Sequence, residues 1–310
     1  MLRTICAFLV VAAFMLSGCV QYQSTHSLIT DENFAREYAK IRNNVGVVYV
    51  KHSGFFRIAG DPPRIYRDSY RTSGRAGVVI YKERIFVLSA GHLFEPNQRT
   101  IKARKKKLAK YLKVPPGMIT YNPGHKETLF VKWRVRGKTH RLEFIFYESY
   151  DIRKREEALK KSDFAVLRLS PDDEKKFASH AFELGSTKNL KVGDLLWATS
   201  IAADYQNNTT IPIRFLEPVN RPYVLSEAVN KNTFSYYGLS GKGLSGSMIL
   251  EYKVNAFKIV GVLVFYSSAY KGASFGFMGG ATKIEAIIAK LDELIKAEKK
   301  TKKPARGDRK

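Results

Sequence analysis

The chain has 310 residues, 45% of them hydrophobic, which excludes a chain too polar to bury a core and allows one large domain or two modest ones. Its 53 Lys and Arg against 28 Asp and Glu give a net charge of +25. This excess predicts attraction to anionic surfaces such as nucleic acid, phospholipid or lipopolysaccharide, and charge alone does not choose among them.

The first 19 residues are typical of an export signal. Arg3 supplies a positive start, and the apolar run from Ile5 to Leu16 is too short to cross a bilayer about 30 Å thick as a helix. The run LSGC then ends at Cys19. It resembles the bacterial lipobox, in which the chain is cut before the cysteine and the cysteine is acylated.

The lipobox resemblance implies a lipoprotein anchored through Cys19, with residues 1–18 removed as a signal peptide. Cys6 would leave with the signal, so the mature chain would form no internal disulfide. By resemblance to Gram-negative lipoproteins, Val20 after the cysteine favours the outer membrane, facing the periplasm. The alternative is an ordinary signal peptide in which Cys19 is accidental.

Residues 19–44 are polar and predict a tether. Phe34, Tyr38 and Ile41 are spaced i, i+4 and i+7, which predicts a short helix that docks on the domain.

From residue 45 onward, short β-branched or aromatic runs bounded by Gly, Pro and charged turns predict strands. One amphipathic helix is predicted near the end, over Lys283–Lys300. Many strands with few helices imply an all-β barrel or sandwich. The predicted strands are Val45–Val50, Gly77–Tyr81, Ile85–Leu88, Thr128–Val135, His140–Tyr147, Phe164–Leu169, Leu195–Ser200, Thr210–Leu216, Met248–Tyr252, Lys258–Tyr266 and Ser274–Met278.

Two segments concentrate the positive charge. Residues 99–113 hold eight Lys/Arg and no acid, and residues 296–310 hold eight Lys/Arg and two acids, so together they carry 14 of the 25 net charges. One interpretation is a solvated insertion and a disordered tail. The other is that both lie against anionic lipid or a polyanionic partner, where each cation contributes about 1 kcal/mol.

All six histidines precede the repeated sequence GLSGKGLSG, which contains Ser240 and Ser245. An α/β-hydrolase triad runs Ser, acid, His, so this class is excluded for these serines. No two histidines or cysteines have metal-ligand spacing, and we expect neither a metal site nor a cofactor.

Three motifs follow the remaining order of His, Asp and Ser: RIFVLSAGHLF at 84–94, SDFAVLRL at 162–169, and GKGLSGSMIL at 241–250 with KIVGVLVF after it. They resemble the strand-then-histidine, aspartate-strand and Gly-x-Ser-Gly motifs of chymotrypsin-fold serine proteases of the bacterial, trypsin-like type. The resemblance implies a protease domain over 45–282, built from two antiparallel β-barrels and followed by a C-terminal helix and basic tail at 283–310. The first barrel would span about 45–172, with residues 99–113 inserted, and the second about 185–282.

The same resemblance implies that His92 is the general base, Asp163 the orienting acid and Ser245 the nucleophile. The backbone N–H groups of Gly243 and Ser245 would form the oxyanion hole. Ser245 is favoured over Ser240 because an apolar strand follows it directly, as in the family.

By resemblance, Leu239, Val264 and Tyr266 would line the substrate pocket. Because Leu239 would form the base of this pocket, we expect the substrate side chain that enters it to be apolar or small rather than Lys or Arg. Leu244 departs from the family, which usually has Asp or Asn before the serine, so activation through a salt bridge to that residue is not available.

The resulting hypothesis is a membrane-anchored serine endopeptidase that hydrolyses polypeptides through an acyl-enzyme intermediate. The alternative is a catalytically inactive lipoprotein of the same fold whose basic segments bind an envelope polyanion or a partner protein. Nucleic-acid binding is disfavoured by the predicted export.

Overall fold

The computed structural model describes most of the chain from residue 32 to residue 301. The predicted signal peptide, Cys19 and the basic tail after residue 301 lie outside the described residues. The described ranges are 32–124, 130–135, 137–149, 161–191, 193–201, 208–216, 232–241, 243–267 and 275–301.

Within these ranges the chain forms four α-helices and fourteen strands. The helices are α1 (Glu32–Asn44), α2 (Gln98–Leu112), α3 (Pro171–Phe177) and α4 (Ile284–Thr301). The strands are β1 (Val45–Ile58), β2 (Arg64–Tyr81), β3 (Arg84–Ser89), β4 (Ile119–Pro123), β5 (Phe130–Val135), β6 (Lys138–Glu148), β7 (Phe164–Arg168), β8 (Phe182–Leu184), β9 (Leu195–Ile201), β10 (Asn208–Leu216), β11 (Thr233–Gly241), β12 (Met248–Lys253), β13 (Ala256–Ser267) and β14 (Phe275–Lys283).

The strand pairings close into two rings of six antiparallel strands. The first ring runs β1-β2-β3-β7-β6-β5 and returns to β1, and the second runs β9-β10-β11-β14-β13-β12 and returns to β9. Strand β8 pairs in parallel with β2 and with β13, and so joins the rings. The prediction of an all-β fold with a C-terminal helix is confirmed.

Strand β3 explains why the core strands have nearly continuous apolar sequences. Successive side chains of a strand point to opposite faces, and both faces of β3 are buried. Ile85 and Val87 lie in the core of the first ring, whereas Phe86 and Leu88 lie in a core that both rings share. The second ring has a further core of its own.

The two terminal helices cover the shared core. In α1, Ile41 is fully buried and Tyr38 packs beside it, as their helical spacing predicts. Helix α4 buries four residues at i, i+3, i+7 and i+11: Ile284, Ile287, Leu291 and Ile295. None of the described helices is long and apolar enough to cross a membrane.

The largest difference from the sequence prediction is an extension of the first ring. Strands β1 and β2 continue far beyond the predicted runs, and the whole of β1 pairs with residues 64–77 of β2. Their outer part has one exposed face and therefore many charged residues. It contains no continuous apolar run, so the sequence pattern did not predict it as strand. This extension pairs with β4 and packs against α2. Residues 98–112, expected as a solvated insertion or as a segment against a polyanion, form a helix with one buried face.

Candidate functional site

The histidine turn follows β3 and places His92 beside Asp163. Residues Gly91–Leu93 form one turn of 3-10 helix. A side chain at Gly91 would overlap the carbonyl oxygen of Glu148 and come within 2.8 Å of the carbonyl oxygen of Phe164. Only glycine therefore allows the turn to approach the end of β6 and the start of β7 so closely.

The side chain of Asp163 accepts two hydrogen bonds from His92. The ring Nδ1–H of His92 donates to Oδ2 at 2.8 Å, and the backbone N–H of His92 donates to Oδ1 at 2.8 Å. The carboxylate is almost fully buried, whereas the imidazole is 35% exposed. This geometry fixes the ring and assigns Nδ1 as the protonated nitrogen, which leaves Nε2 to accept a proton.

The environment raises the pKa of His92 above its ordinary value of 6.5. Burial disfavours the imidazolium and acts to lower the pKa. The negative charge of Asp163 and its hydrogen bond to the ring act in the opposite direction and together prevail.

Residues of the second ring hold the backbone around Asp163. Thr282 on β14 donates its hydroxyl to the carbonyl oxygen of Asp163 at 2.8 Å, and the N–H of Asp163 donates to the same hydroxyl at 3.4 Å. The neighbouring Ser162 accepts from the side-chain amide of Asn232 at 3.1 Å. Thr282 was not predicted as a site residue, because its only signal in the sequence is a hydroxyl near the end of an otherwise apolar strand.

The serine turn, residues 243–247, joins β11 to β12 and is shaped by two glycines with positive φ. Gly243 has φ +83° and Gly246 has φ +87°, values that favour glycine. The N–H of Ser247 donates to the carbonyl oxygen of Leu244 at 2.9 Å, and the N–H of Gly246 donates to that of Leu263 at 2.8 Å. The backbone of this turn is thus hydrogen-bonded both within itself and to β13.

Strand β2 brings the serine turn and the histidine turn together. The N–H of Arg75 donates to the carbonyl oxygen of Ser245 at 2.7 Å. At the preceding Gly74, a side chain would come within 2.6 Å of that same carbonyl oxygen and would overlap Leu93, the residue after His92. The two turns therefore converge on one glycine of β2.

The hydroxyl of Ser245 donates to the carbonyl oxygen of Val264 at 3.4 Å. Within the described ranges, it makes no hydrogen bond to His92. The backbone N–H groups of Gly243 and Ser245 donate to no described residue. Among the described residues, the two turns thus contain a histidine–aspartate pair, a serine hydroxyl and two backbone N–H groups that donate to none of these residues.

The structure separates the two serines of the repeat. Ser240 lies within β11, where it pairs with Gly276 of β14, whereas Ser245 lies on the turn. Of the predicted pocket residues, Val264 is buried on β13. Leu239 lies on β11 and Tyr266 on β13, and their side chains fall outside the described part of the chain, so the pocket stays a prediction.

No group of three His, Cys, Asp or Glu side chains in the described ranges is arranged to hold a metal ion.

Comparison with known proteins gave matches among solved structures. No protein-family model and no curated protein sequence matches the chain. The HtrA-type protease AlgW, solved with a decapeptide, is similar over 84% of this chain and 67% of its own, with 13% identity and a TM-score of 0.49. The active form of the Rv3671c protease from M. tuberculosis is similar over 86% and 85%, with 13% identity and a TM-score of 0.45. Deg5 is similar over 83% and 91%, with 14% identity and a TM-score of 0.41. At these identities the similarity concerns the path of the chain, and any activity has to be judged from the site of this protein.

Proposed function

We propose that the protein is a serine endopeptidase with Ser245 as nucleophile, His92 as general base and Asp163 as orienting acid. The observation that supports it most is the buried carboxylate of Asp163, which accepts hydrogen bonds from the ring Nδ1–H and the backbone N–H of His92. A buried carboxylate and a partly exposed imidazole in this contact are what a proton-transfer pair requires.

In the proposed reaction, Nε2 of His92 takes the proton of the Ser245 hydroxyl as the oxygen attacks the carbonyl carbon of the peptide. Asp163 keeps Nδ1 protonated and stabilises the imidazolium that forms. The oxyanion receives hydrogen bonds from the N–H groups of Gly243 and Ser245. His92 then gives its proton to the leaving amine, and water hydrolyses the acyl-enzyme by the same proton route.

The proposal requires the Ser245 hydroxyl to turn from Val264 toward His92. Its bond to the Val264 carbonyl is long, at 3.4 Å, and therefore weak. Hydrogen bonds among catalytic groups often shorten only when substrate binds. Because the turn itself is held by backbone hydrogen bonds, we propose that this movement is a rotation of the Ser245 side chain.

We propose a polypeptide substrate, with an apolar or small side chain entering a pocket formed by Leu239, Val264 and Tyr266. The peptide-bound AlgW structure is a related case in which a decapeptide is held. The proposed cellular location is the bacterial envelope, with the mature chain anchored through acylated Cys19 and, in a Gram-negative cell, facing the periplasm. Mass spectrometry of the N-terminal peptide tests this anchor, because an unmodified Cys19 in membrane-extracted protein would exclude it.

A catalytically inactive binding protein is the second candidate. The Ser245 hydroxyl bonds to Val264 and not to His92, and this observation favours it. Labelling of the serine by a reactive probe, described next, separates the peptidase from the binding protein.

A fluorophosphonate probe, which labels activated serines, tests the proposed function in protein that starts at Val20. We expect wild type to be labelled, Ser245→Ala to lose the label and Ser240→Ala to keep it. Ser240→Ala is a matched control because the same sequence, Gly-Leu-Ser-Gly, surrounds both serines. Wild-type protein that is folded, never labelled and unable to cleave unfolded polypeptides would establish the binding protein instead.

A further inference from the structure

The basic helix α2 has two faces of different chemistry. One face buries Ile101 and Ala109 in a small cluster with residues of β1, β2 and β4. Along the opposite face, four exposed cations follow one another at i, i+3, i+7 and i+11: Arg99, Lys102, Lys106 and Lys110. With a rise of about 1.5 Å per residue, this basic row is about 16 Å long.

The basic row is not neutralised by the part of the protein that the structure describes. None of its four cations forms an ion pair with a described residue. The ion pair on this helix belongs to a different residue, Arg104, which contacts Asp68 and lies over the ring of Tyr70. The sequence itself has no acid between Glu95 and Glu127. Within the described ranges, the row therefore presents to solvent a positive charge that no ion pair compensates.

Both ends of the helix are fixed, so the spacing of these charges is set by the fold. At the start, the side chain of Asn97 accepts from the N–H of Thr100, and the N–H of Asn97 donates to the hydroxyl of Tyr70 at 2.7 Å. At the end, Lys113 adopts a left-handed conformation, and the N–H of Val114 donates to the carbonyl oxygen of Ala109 at 3.0 Å. A rigid array loses less conformational entropy on binding than a mobile tail does.

Two large hydrophobic side chains that follow the row in the sequence are exposed. Tyr111 is 79% exposed and Met118 is 41% exposed. Tyrosine suits the boundary between water and lipid because it has an apolar ring and a polar tip. Proteins that lie on membranes combine cations that bind headgroups with exposed apolar and aromatic side chains, and this segment contains both.

We propose that the basic row, together with Tyr111 and Met118, docks the folded domain on the surface of an anionic lipid bilayer. Three of the four cations are lysines, whose compact charges suit a continuous layer of headgroups, whereas planar recognition of individual phosphates favours arginine. Single-stranded nucleic acids also need several aromatic platforms for stacking, and Tyr111 is the one exposed aromatic ring of this helix. The inference rests on the proposed envelope location and is independent of the proposed peptidase activity.

The test uses protein from Val20 onward, which lacks Cys19 and keeps every residue of the four hydrophobic clusters. The row variant combines Lys102→Gln, Lys106→Gln and Lys110→Gln. The control variant makes the same charge change at three exposed lysines elsewhere: Lys175→Gln, Lys188→Gln and Lys191→Gln. Binding is measured by co-sedimentation with vesicles of equal parts phosphatidylcholine and phosphatidylglycerol, and with vesicles of phosphatidylcholine alone.

We expect wild type to bind only the anionic vesicles, the row variant to lose on the order of 100-fold in partitioning, and the control variant to lose far less. Equal losses in both variants would show a response to net charge alone and overturn the proposal. Probe labelling of Ser245 without vesicles should be the same in all three proteins, so a failure of docking and a failure of the peptidase proposal are distinguishable.

A second measurement separates lipid from other polyanions. Tyr111→Trp places a fluorescent reporter at the end of the row, and its emission should shift to the blue with anionic vesicles but not with duplex DNA. If the row variant lost DNA binding while its vesicle binding stayed intact, the row would be a polyanion site and the lipid proposal would be wrong.

Discussion

The histidine turn and the serine turn are built in different ways. His92 is held by hydrogen bonds to both side-chain oxygens of Asp163. The serine turn is held through its backbone, from the carbonyl oxygen of Ser245 to Arg75 and from the N–H of Gly246 to Leu263, while the Ser245 hydroxyl has one long hydrogen bond. The proposed acid–base pair is therefore fixed by two short hydrogen bonds, whereas the hydroxyl proposed as the nucleophile is held by a single long one. We expect side-chain changes to damage the first turn and changes in backbone shape to damage the second.

Replacement of the buried acid should have the largest effect on activity. Asp163→Asn keeps the size of the side chain but stabilises the wrong tautomer of His92, so kcat should fall about 10⁴-fold, as expected for the acid of such a triad. Peptide hydrolysis measured with matched amounts of folded protein checks this. A loss of less than tenfold would mean that Asp163 does not orient the base.

The two glycines of the serine turn allow a matched comparison. Both have positive φ, but a side chain at Gly246 would overlap the carbonyl oxygen of Arg75, whereas one at Gly243 would have no described residue within 4 Å. The Arg75 oxygen cannot easily move, because it also accepts a hydrogen bond from the buried Ser89 at 2.7 Å.

Gly246→Ala should therefore cost about 3 kcal/mol or more in the free energy of unfolding, from overlap and backbone strain together. Gly243→Ala should cost about 1 kcal/mol, from backbone strain alone. Denaturant unfolding gives both values. Similar costs at the two positions would contradict the account of how the turn is seated against β2.

Thr282 tests whether the second ring holds the acid. Thr282→Val preserves the shape of the side chain and leaves the N–H and carbonyl oxygen of Asp163 without their Thr282 partner, so unfolding should become easier by about 1–3 kcal/mol. Thr199→Val is the control. Thr199 also accepts a backbone hydrogen bond, from the N–H of Met248 at 2.9 Å, but Met248 follows the serine turn and is not part of the histidine turn. Only Thr282→Val should change the pKa of His92, which NMR titration measures. An unchanged titration in Thr282→Val would assign Thr282 a role in folding alone.

The smallest expected effect is a shift in the pH profile of kcat/KM, which depends on the protonation of His92. Below its pKa, His92 is an imidazolium and cannot accept a proton, so kcat/KM should rise as pH increases through a pKa above 6.5. In Asp163→Asn the attraction that raises this pKa is lost and burial remains, so the midpoint of the residual activity should move to lower pH. A midpoint that did not move would show that another group controls the profile.

The parts of the fold that were predicted correctly are those in which buried apolar residues recur at a regular spacing along the sequence. Strand β3 is buried on both faces and reads as an unbroken apolar run, and α4 repeats an apolar residue with helical spacing. The outer halves of β1 and β2 and the helix α2 were missed. Their apolar residues are few and separated by charges, since one face of each is exposed, and a short apolar face is easily mistaken for a solvated segment.

The three motifs that contain His92, Asp163 and Ser245 were enough to nominate the site, because a motif is a local property of the sequence. Local pattern cannot state which distant groups meet. The contact of His92 with Asp163 joins residues 71 positions apart, and that of Asp163 with Thr282 joins residues 119 positions apart. The direction of the Ser245 hydroxyl and the outward face of α2 likewise depend on how separate strands pack. These features arise only when the two rings close and bury a common core, since the free energy of that burial decides which neighbours each side chain receives.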